Sequence, residues 1–281
     1  MASNHFVKFY APMRCVGIFL LMQMSFLGHI MAAGYDHPAG ARSAGMAHAS
    51  VAVTDLWCFD HNQAGLAYIE NLSLGFFHQS GYVPEMDHQA LALLVPVSSG
   101  ALAGSYTHYG YKHYHESKAA LAYGRCLAKN LAAGIQLDYF HTRISGIYGS
   151  VHQLTFEVGV HFRINEQWSV ATHLFNPLAR VGEVKGKPLP VIFRLGAAWK
   201  PSLALLMLVE VEKDLEQQAI PKLAAEYELI GNFHLRTGVS LNPALHCFGL
   251  GYAWKGFQVD LAFSFHPTLG RIPNFALSYA F

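Results

Sequence analysis

Charge is what this chain most lacks. Asp, Glu, Lys and Arg make up 13% of its 281 residues while hydrophobic residues make up 52%, about half the charged share of an ordinary soluble domain. The apolar content is not gathered into long runs either. Beyond residue 35 no stretch approaches the ~20 consecutive apolar residues that a transmembrane helix needs. Lipid tolerates no unpaired backbone, so a chain that is apolar throughout yet lacks such runs is left with the closed β-barrel. Basic clusters are missing too: the net charge is +1 and Lys and Arg are scattered, which gives nucleic-acid binding no support. Cysteine is scarce. Cys15 lies near the N-terminus, and the remaining Cys58, Cys126 and Cys247 are odd in number and without zinc-like spacing, so they read as packing residues rather than a disulfide framework. Signatures of catalysis are absent: Ser98-Ser99-Gly100 is no nucleophile elbow, and no glycine-rich phosphate loop opens a helix. The expectation is a protein that is not an enzyme and carries no cofactor.

What is present begins with a leader. Lys8 and Arg14 precede an apolar run from Cys15 to Met31, closed by the small residues Ala32, Ala33 and Gly34. That is the layout of a secretory signal peptide, assigned to residues 1–33.

From Leu72 onward, apolar and polar residues alternate in strand-length segments, the dyad signature of an outer-membrane barrel. In residues 153–164, Leu154, Phe156, Val158, Val160, Phe162 and Ile164 share one face, and Gln153, Thr155, Glu157, Gly159, His161 and Arg163 the other. About fourteen such segments follow one another, centred near Leu74, Leu93, Tyr106, Ala122, Ile135, Val158, Ala171, Leu195, Val209, Tyr227, Thr237, Leu250, Leu261 and Leu277. Short turns at Ser98-Ser99-Gly100, Lys129-Asn130, Asn165-Glu166-Gln167, Pro201-Ser202, Gly231-Asn232 and Lys255-Gly256 alternate with longer connections, the longest spanning 176–188. This asymmetry predicts short periplasmic turns, longer outer loops and both termini on the periplasmic side of an integral outer-membrane protein in contact with lipid bilayer and lipopolysaccharide. The C-terminal "NFALSYAF" places Tyr279 and Phe281 on one face of the last strand, like the recognition signal of barrels inserted by the outer-membrane assembly machinery. Tyr252, Trp254, Phe257, Trp168 and Trp199 near turns fit an aromatic girdle.

The opposite strand faces carry mixed charge. Arg194, Glu210, Glu226, Glu228 and Arg236 fall on four consecutive strands and are expected to form a lateral ion-pair network across the lumen wall. In "THYGYKHYHES" His113 and His115 share a face, but seventeen histidines spread along the chain weaken a metal reading. A wet aromatic surface for a partner or headgroup is preferred there, and no metal site is assigned.

One stretch of Gly40 to Ala67, "GARSAGMAHASVAVTDLWCFDHNQAGLA", resembles the N-terminal segment of the FadL superfamily of outer-membrane barrels, and within it the PorV/PorQ-like branch of Bacteroidota. The match rests on a Gly/Ala-rich approach, the Asp-x-Trp step at Asp55-Leu56-Trp57, and the corner Asn62-Gln63-Ala64-Gly65-Leu66-Ala67, where Gln63 replaces the Pro of the family pattern. The resemblance implies an all-β barrel of fourteen strands, here 71–281, with residues 34–70 as a luminal plug. Two functions follow from it. The preferred one is an accessory or scaffold subunit of a type IX-like secretion or outer-membrane assembly complex, docked against a larger outer-membrane partner. The alternative is passive transport of fatty acid or another hydrophobic molecule. Short outer connections, with little material to capture a ligand outside the membrane, favour the first.

Overall fold

The structure is a computed structural model that describes residues 38–281 other than 82, 84, 147, 148, 179–188 and 269. The leader expected at 1–33 lies outside the described residues, as do residues 34–37.

Fourteen antiparallel strands close into a barrel in strict chain order, β1 pairing with β14. The first half comprises β1 (Ser73–Gln79), β2 (Asp87–Val97), β3 (Gly100–Tyr111), β4 (Tyr114–Ala128), β5 (Leu131–Ile144), β6 (Gly149–Arg163) and β7 (Trp168–Phe175). The second comprises β8 (Ile192–Ser202), β9 (Leu205–Asp214), β10 (Ile220–Ile230), β11 (Phe233–Ser240), β12 (Leu245–Trp254), β13 (Phe257–His266) and β14 (Gly270–Ala280). Every strand centre expected from the alternation falls inside a strand. The cause is simple: a wall with lipid on one side must alternate, because successive side chains point to opposite faces. The outward set is apolar and exposed, as in the cross-strand neighbours Leu74 and Leu93 or Leu121 and Leu137. A closed ring also leaves no unpaired strand edge.

The seam is held at the short-turn end. The Phe281 amide donates to the Leu72 carbonyl at 2.9 Å, and the Tyr279 ring lies 4.5 Å from Phe257 and 4.7 Å from Phe281. Two details of the turns differ from expectation. Pro201 and Ser202 belong to β8, and the chain reverses one step later at 203–204. On the other rim the β3–β4 connection is only 112–113, as tight as any turn opposite, whereas 176–191 separates β7 from β8.

Residues 38–70 precede β1 with little regular structure: α1 (Ala41–Ala44), α2 (Cys58–His61) and a 3-10 turn at Gln63–Tyr68. Most of these residues are buried, and they pack against inward-facing side chains of well-separated strands. Trp57, Phe59 and Leu66 cluster with Phe77, Ala92, Leu94 and Ala122 of β1, β2 and β4, while Met46, Val51 and Val53 cluster with Ala171, Ala198, Leu208 and Ala224 of β7 to β10. The wall offers small inward residues at both places, which is what lets a second layer of chain fit there. Of the three cysteines, Cys58 and Cys247 are buried as packing residues, but Cys126 is exposed.

Candidate functional site

The corner meets the wall along a row of glycines. Gly124 of β4, Gly134 of β5 and Gly159 of β6 stand side by side in register and face inward. A methyl group at Gly134 would overlap the backbone of Gln63 and Ala64, one at Gly159 would overlap the Asn62 side-chain oxygen, and one at Gly124 would sit 2.5 Å from the Gln63 carbonyl oxygen. Close approach of two backbones therefore depends on glycines in three strands. Gly65 serves a different purpose: an added methyl there would lie 2.6 Å from Cys58 Sγ, within the same segment. Ala64 is fully buried.

Asn62 and Gln63 turn this close fit into specific contacts. Asn62 Nδ2 donates to the carbonyls of Val51 (2.9 Å) and Val160 (3.2 Å), while its Oδ1 caps the turn by accepting from the Ala64 amide at 3.1 Å. Gln63 Nε2 donates to the Phe59 carbonyl at 2.9 Å and to Glu157 Oε2 at 2.5 Å. Glu157 also lies 2.8 Å from His173 Nε2 and accepts from Gln136 Nε2 at 3.2 Å, and the Lys118 ammonium pairs with Asp60 of α2. Gln63 opens the 3-10 turn, a position at which proline is also accommodated. Gln at this position gives an amide hydrogen bond to a buried carboxylate of the wall that proline could not make.

The other attachment is ionic. Arg42 of α1 reaches Glu226 of β10 at 2.6 Å and Asp55 at 3.3 Å; Asp55 in turn accepts the Trp57 amide at 2.9 Å. Arg236 of β11 bonds Glu226 at 2.5 Å and Asp260 of β13 at 2.6 Å, crossing β12 over Gly251, where any side chain would strike the guanidinium. A second group joins Arg194 to Glu212 (2.9 Å), and Lys222 to Glu212 (2.8 Å) and Glu210 (3.1 Å); Glu210 accepts the Val51 amide at 2.8 Å. The expected five-residue network is thus two networks. Glu228 belongs to neither, since among the described residues it forms no ion pair: it stands one inward position closer to the turn than Glu226, beyond the reach of Arg236. Missing from the expected set were Arg42, Glu212, Lys222 and Asp260. Three of these lie on inward-facing positions readable from the alternation; Arg42 sits in a segment with no periodicity to place it.

Between this ionic wall and the segment lies a cavity of about 370 Å³, lined by Arg42, Asp55, Trp57, Arg236, Asp260 and Tyr279 among others. Burial, reinforced by Arg194 and Lys222, pushes the His61 imidazole of α2 down to about 3. Its Nε2 lies 3.1 Å from the Ala39 carbonyl, the bond a neutral ring makes by donating. Burial also pushes the Cys58 thiol up, away from the reactive thiolate.

No family model and no curated protein matches the chain. Solved structures do. The Ralstonia pickettii toluene transporter TbuX superposes with a TM-score of 0.70 at 12% identity, over 86% of this chain and 98% of that one. The barrel has the FadL fold. The CymD monoaromatic hydrocarbon channel matches with a TM-score of 0.65 at 13% identity over 86% and 97% of the two chains, and a Pseudomonas aeruginosa FadL homologue with 0.61 at 10% over 86% and 98%. TbuX is a toluene transporter and CymD a monoaromatic hydrocarbon channel, and none of the three carries the resemblance into the PorV/PorQ-like branch.

Proposed function

We propose that the protein is an integral outer-membrane barrel that passes small hydrophobic molecules, with residues 38–70 as a luminal plug and the Asn62–Gly65 corner as its point of control. The observation that carries this reading is the fold match over nearly the whole length of hydrocarbon channels, taken with an inner segment that meets the wall through contacts a passing molecule could displace one at a time. The apolar outer face suits lipid, and the short-turn rim with both chain ends is assigned to the periplasm. The accessory-subunit reading drew its support from short outer connections. Those bear on capture of a ligand outside the membrane and leave passage through the wall or lumen untouched, so transport takes precedence.

Purified protein in liposomes should speed entry of toluene or a long-chain fatty acid several-fold over empty vesicles. Substitution Asn62→Ala, which removes the turn cap, the bond to Val51 within the segment and the bond to Val160 of the wall, should change that rate. A rate equal to empty vesicles for both solutes, together with recovery of a stoichiometric larger membrane protein from native membranes, would return the accessory reading to first place.

A further inference from the structure

The outward face of β3 to β6 differs from the rest of the lipid-facing wall. All acids on these four strands, Glu116, Asp138 and Glu157, are buried on the inner side. Outward, near the β3–β4 and β5–β6 connections, stand His108, His115, His141 and His152, one from each strand. Their rings form an unbroken series, with centroids 5.4 Å apart from His108 to His115, 5.9 Å to His141 and 4.6 Å to His152. Exposed Arg143 pairs in register with His115. Asp87, outward on β2, accepts the Gly81 amide at 3.3 Å.

One register row toward the middle of the wall the chemistry changes. Tyr106 donates to Ser117 Oγ at 3.1 Å, and Tyr139 Oη lies 2.6 Å from His152 Nδ1. Beyond them opens an apolar groove of about 390 Å³, lined by Leu102, Leu121, Tyr123, Ile135, Leu137 and Phe156. On the same outward face Gly104 leaves open space beside Leu121, its register partner: a methyl group there would meet nothing within 4 Å. Four residues of strand, about 13 Å, separate Leu137 from His141. Imidazole and guanidinium donors above an apolar groove fit an amphipathic molecule with an anionic, oxygen-rich head and hydrocarbon chains. A metal ion fits less well, because the His141 and His152 rings stack at 13° and, among the described residues, no three His, Cys, Asp or Glu groups converge on one point.

We propose that the outward face of β3 to β6 binds one phosphorylated membrane lipid, the lipid A part of lipopolysaccharide, with an acyl chain in the groove and a phosphate on the histidine row and Arg143. The choice of lipid rests on the outer-membrane reading, which turns this rim toward the outer leaflet.

Native mass spectrometry of the purified barrel, titrated with bisphosphorylated lipid A, dephosphorylated lipid A and phosphatidylglycerol, tests it. Bisphosphorylated lipid A should bind at least tenfold more tightly than the other two. The combined variant H108Q/H115Q/H141Q/H152Q/R143Q should lose that preference, and Leu121→Trp, which fills the groove, should weaken retention of all three lipids while the folded barrel keeps its gel mobility. Equal binding of the phosphorylated and dephosphorylated forms overturns the proposal. So does equal binding of phosphatidylglycerol, or saturable Zn²⁺ binding at the row with no phosphate preference. Membrane fractionation and solute uptake are read separately: absence from the outer membrane defeats the underlying reading, and loss of uptake with lipid preference intact defeats only transport.

Discussion

The inner segment touches the barrel with two different mixtures of chemistry. At β4 to β6 it presses backbone against a glycine row and adds amide contacts and the Lys118–Asp60 pair; at β8 to β13 it also approaches Gly238 and Gly249 closely, and there Arg42 reaches the wall carboxylate Glu226. The first contact is tight in shape but incompletely satisfied in polarity. Gln63 Oε1 and Gln136 Oε1 are buried with no hydrogen-bond partner among the described protein groups, each at a cost of about 1–3 kcal/mol unless water reaches it. On the ionic side Arg42, Asp55, Arg194, Glu210, Glu212, Lys222, Glu226, Arg236 and Asp260 each have a charged partner. The ionic side is expected to anchor the segment and the corner to release it. Cys58, buried beside Gly65, supplies a natural reporter: in a C15S/C126S/C247A background its alkylation rate measures how often the segment leaves its seat.

The largest effect is expected at the anchor. Arg236→Ala leaves buried Asp260 without its ion-pair partner and Glu226 with Arg42 alone, and removing one partner from a buried pair costs about 3–5 kcal/mol. The barrel's heat-induced gel shift should move to distinctly lower temperature. An unmoved transition would mean that the ionic wall is solvated and anchors nothing.

Next in size comes Gly134→Val, which forces a side chain into the Gln63 backbone. Overpacking of this kind costs about 1–3 kcal/mol, and here it falls on the seated corner alone, so Cys58 should label roughly tenfold faster with the barrel intact. Gly104→Val, on the open outer face, should label at the parent rate. A smaller opening is expected from Gln63→Pro. The turn keeps its path, but the bond to Glu157 goes, a loss of about 2 kcal/mol for a hydrogen bond to a charged group. If Gln63→Pro labels no faster than the parent, the corner is held by shape alone and Gln63 is a passive replacement for proline.

These contrasts explain what the sequence could and could not disclose. The strands were legible because each residue of a lipid-facing wall answers to one rule, and Leu154 or Val158 obeys it without reference to any distant residue. The motif residues Asp55, Trp57, Asn62 and Gln63 were legible only through resemblance, and their partners were not legible at all. Gly124, Gly134 and Gly159 look like ordinary inward small residues until the fold sets them side by side. Arg236 was expected to pair with a neighbouring strand, as it does with Glu226, but its bond to Asp260 skips β12 because Gly249 and Gly251 leave the way clear. A pairing rule built on adjacent strands cannot see a partner two strands away. Nor can alternation place Arg42 in a segment that has no period.

Acid offers the mildest way to tilt the comparison, because it acts on the segment without changing a residue. His61 lies in α2, not in a strand, and stays neutral when seated, its pKa held near 3 against an ordinary 6.5. Released, it regains the ordinary value and binds a proton more readily. The released state therefore takes up protons as pH falls below 6.5, so seating is fully stable above that pH and is lost progressively toward 3. At pH 5.5 the loss is about 1.4 kcal/mol, enough to raise the open population about tenfold. Cys58 labelling, corrected for its own thiolate fraction with a small-molecule thiol, should rise between pH 7 and 5.5 in the parent and stay flat in His61→Asn, which cannot take up the proton. An equal rise in both proteins would trace acid release to the strand carboxylates around Glu157 and move the sensitive element from the segment to the wall.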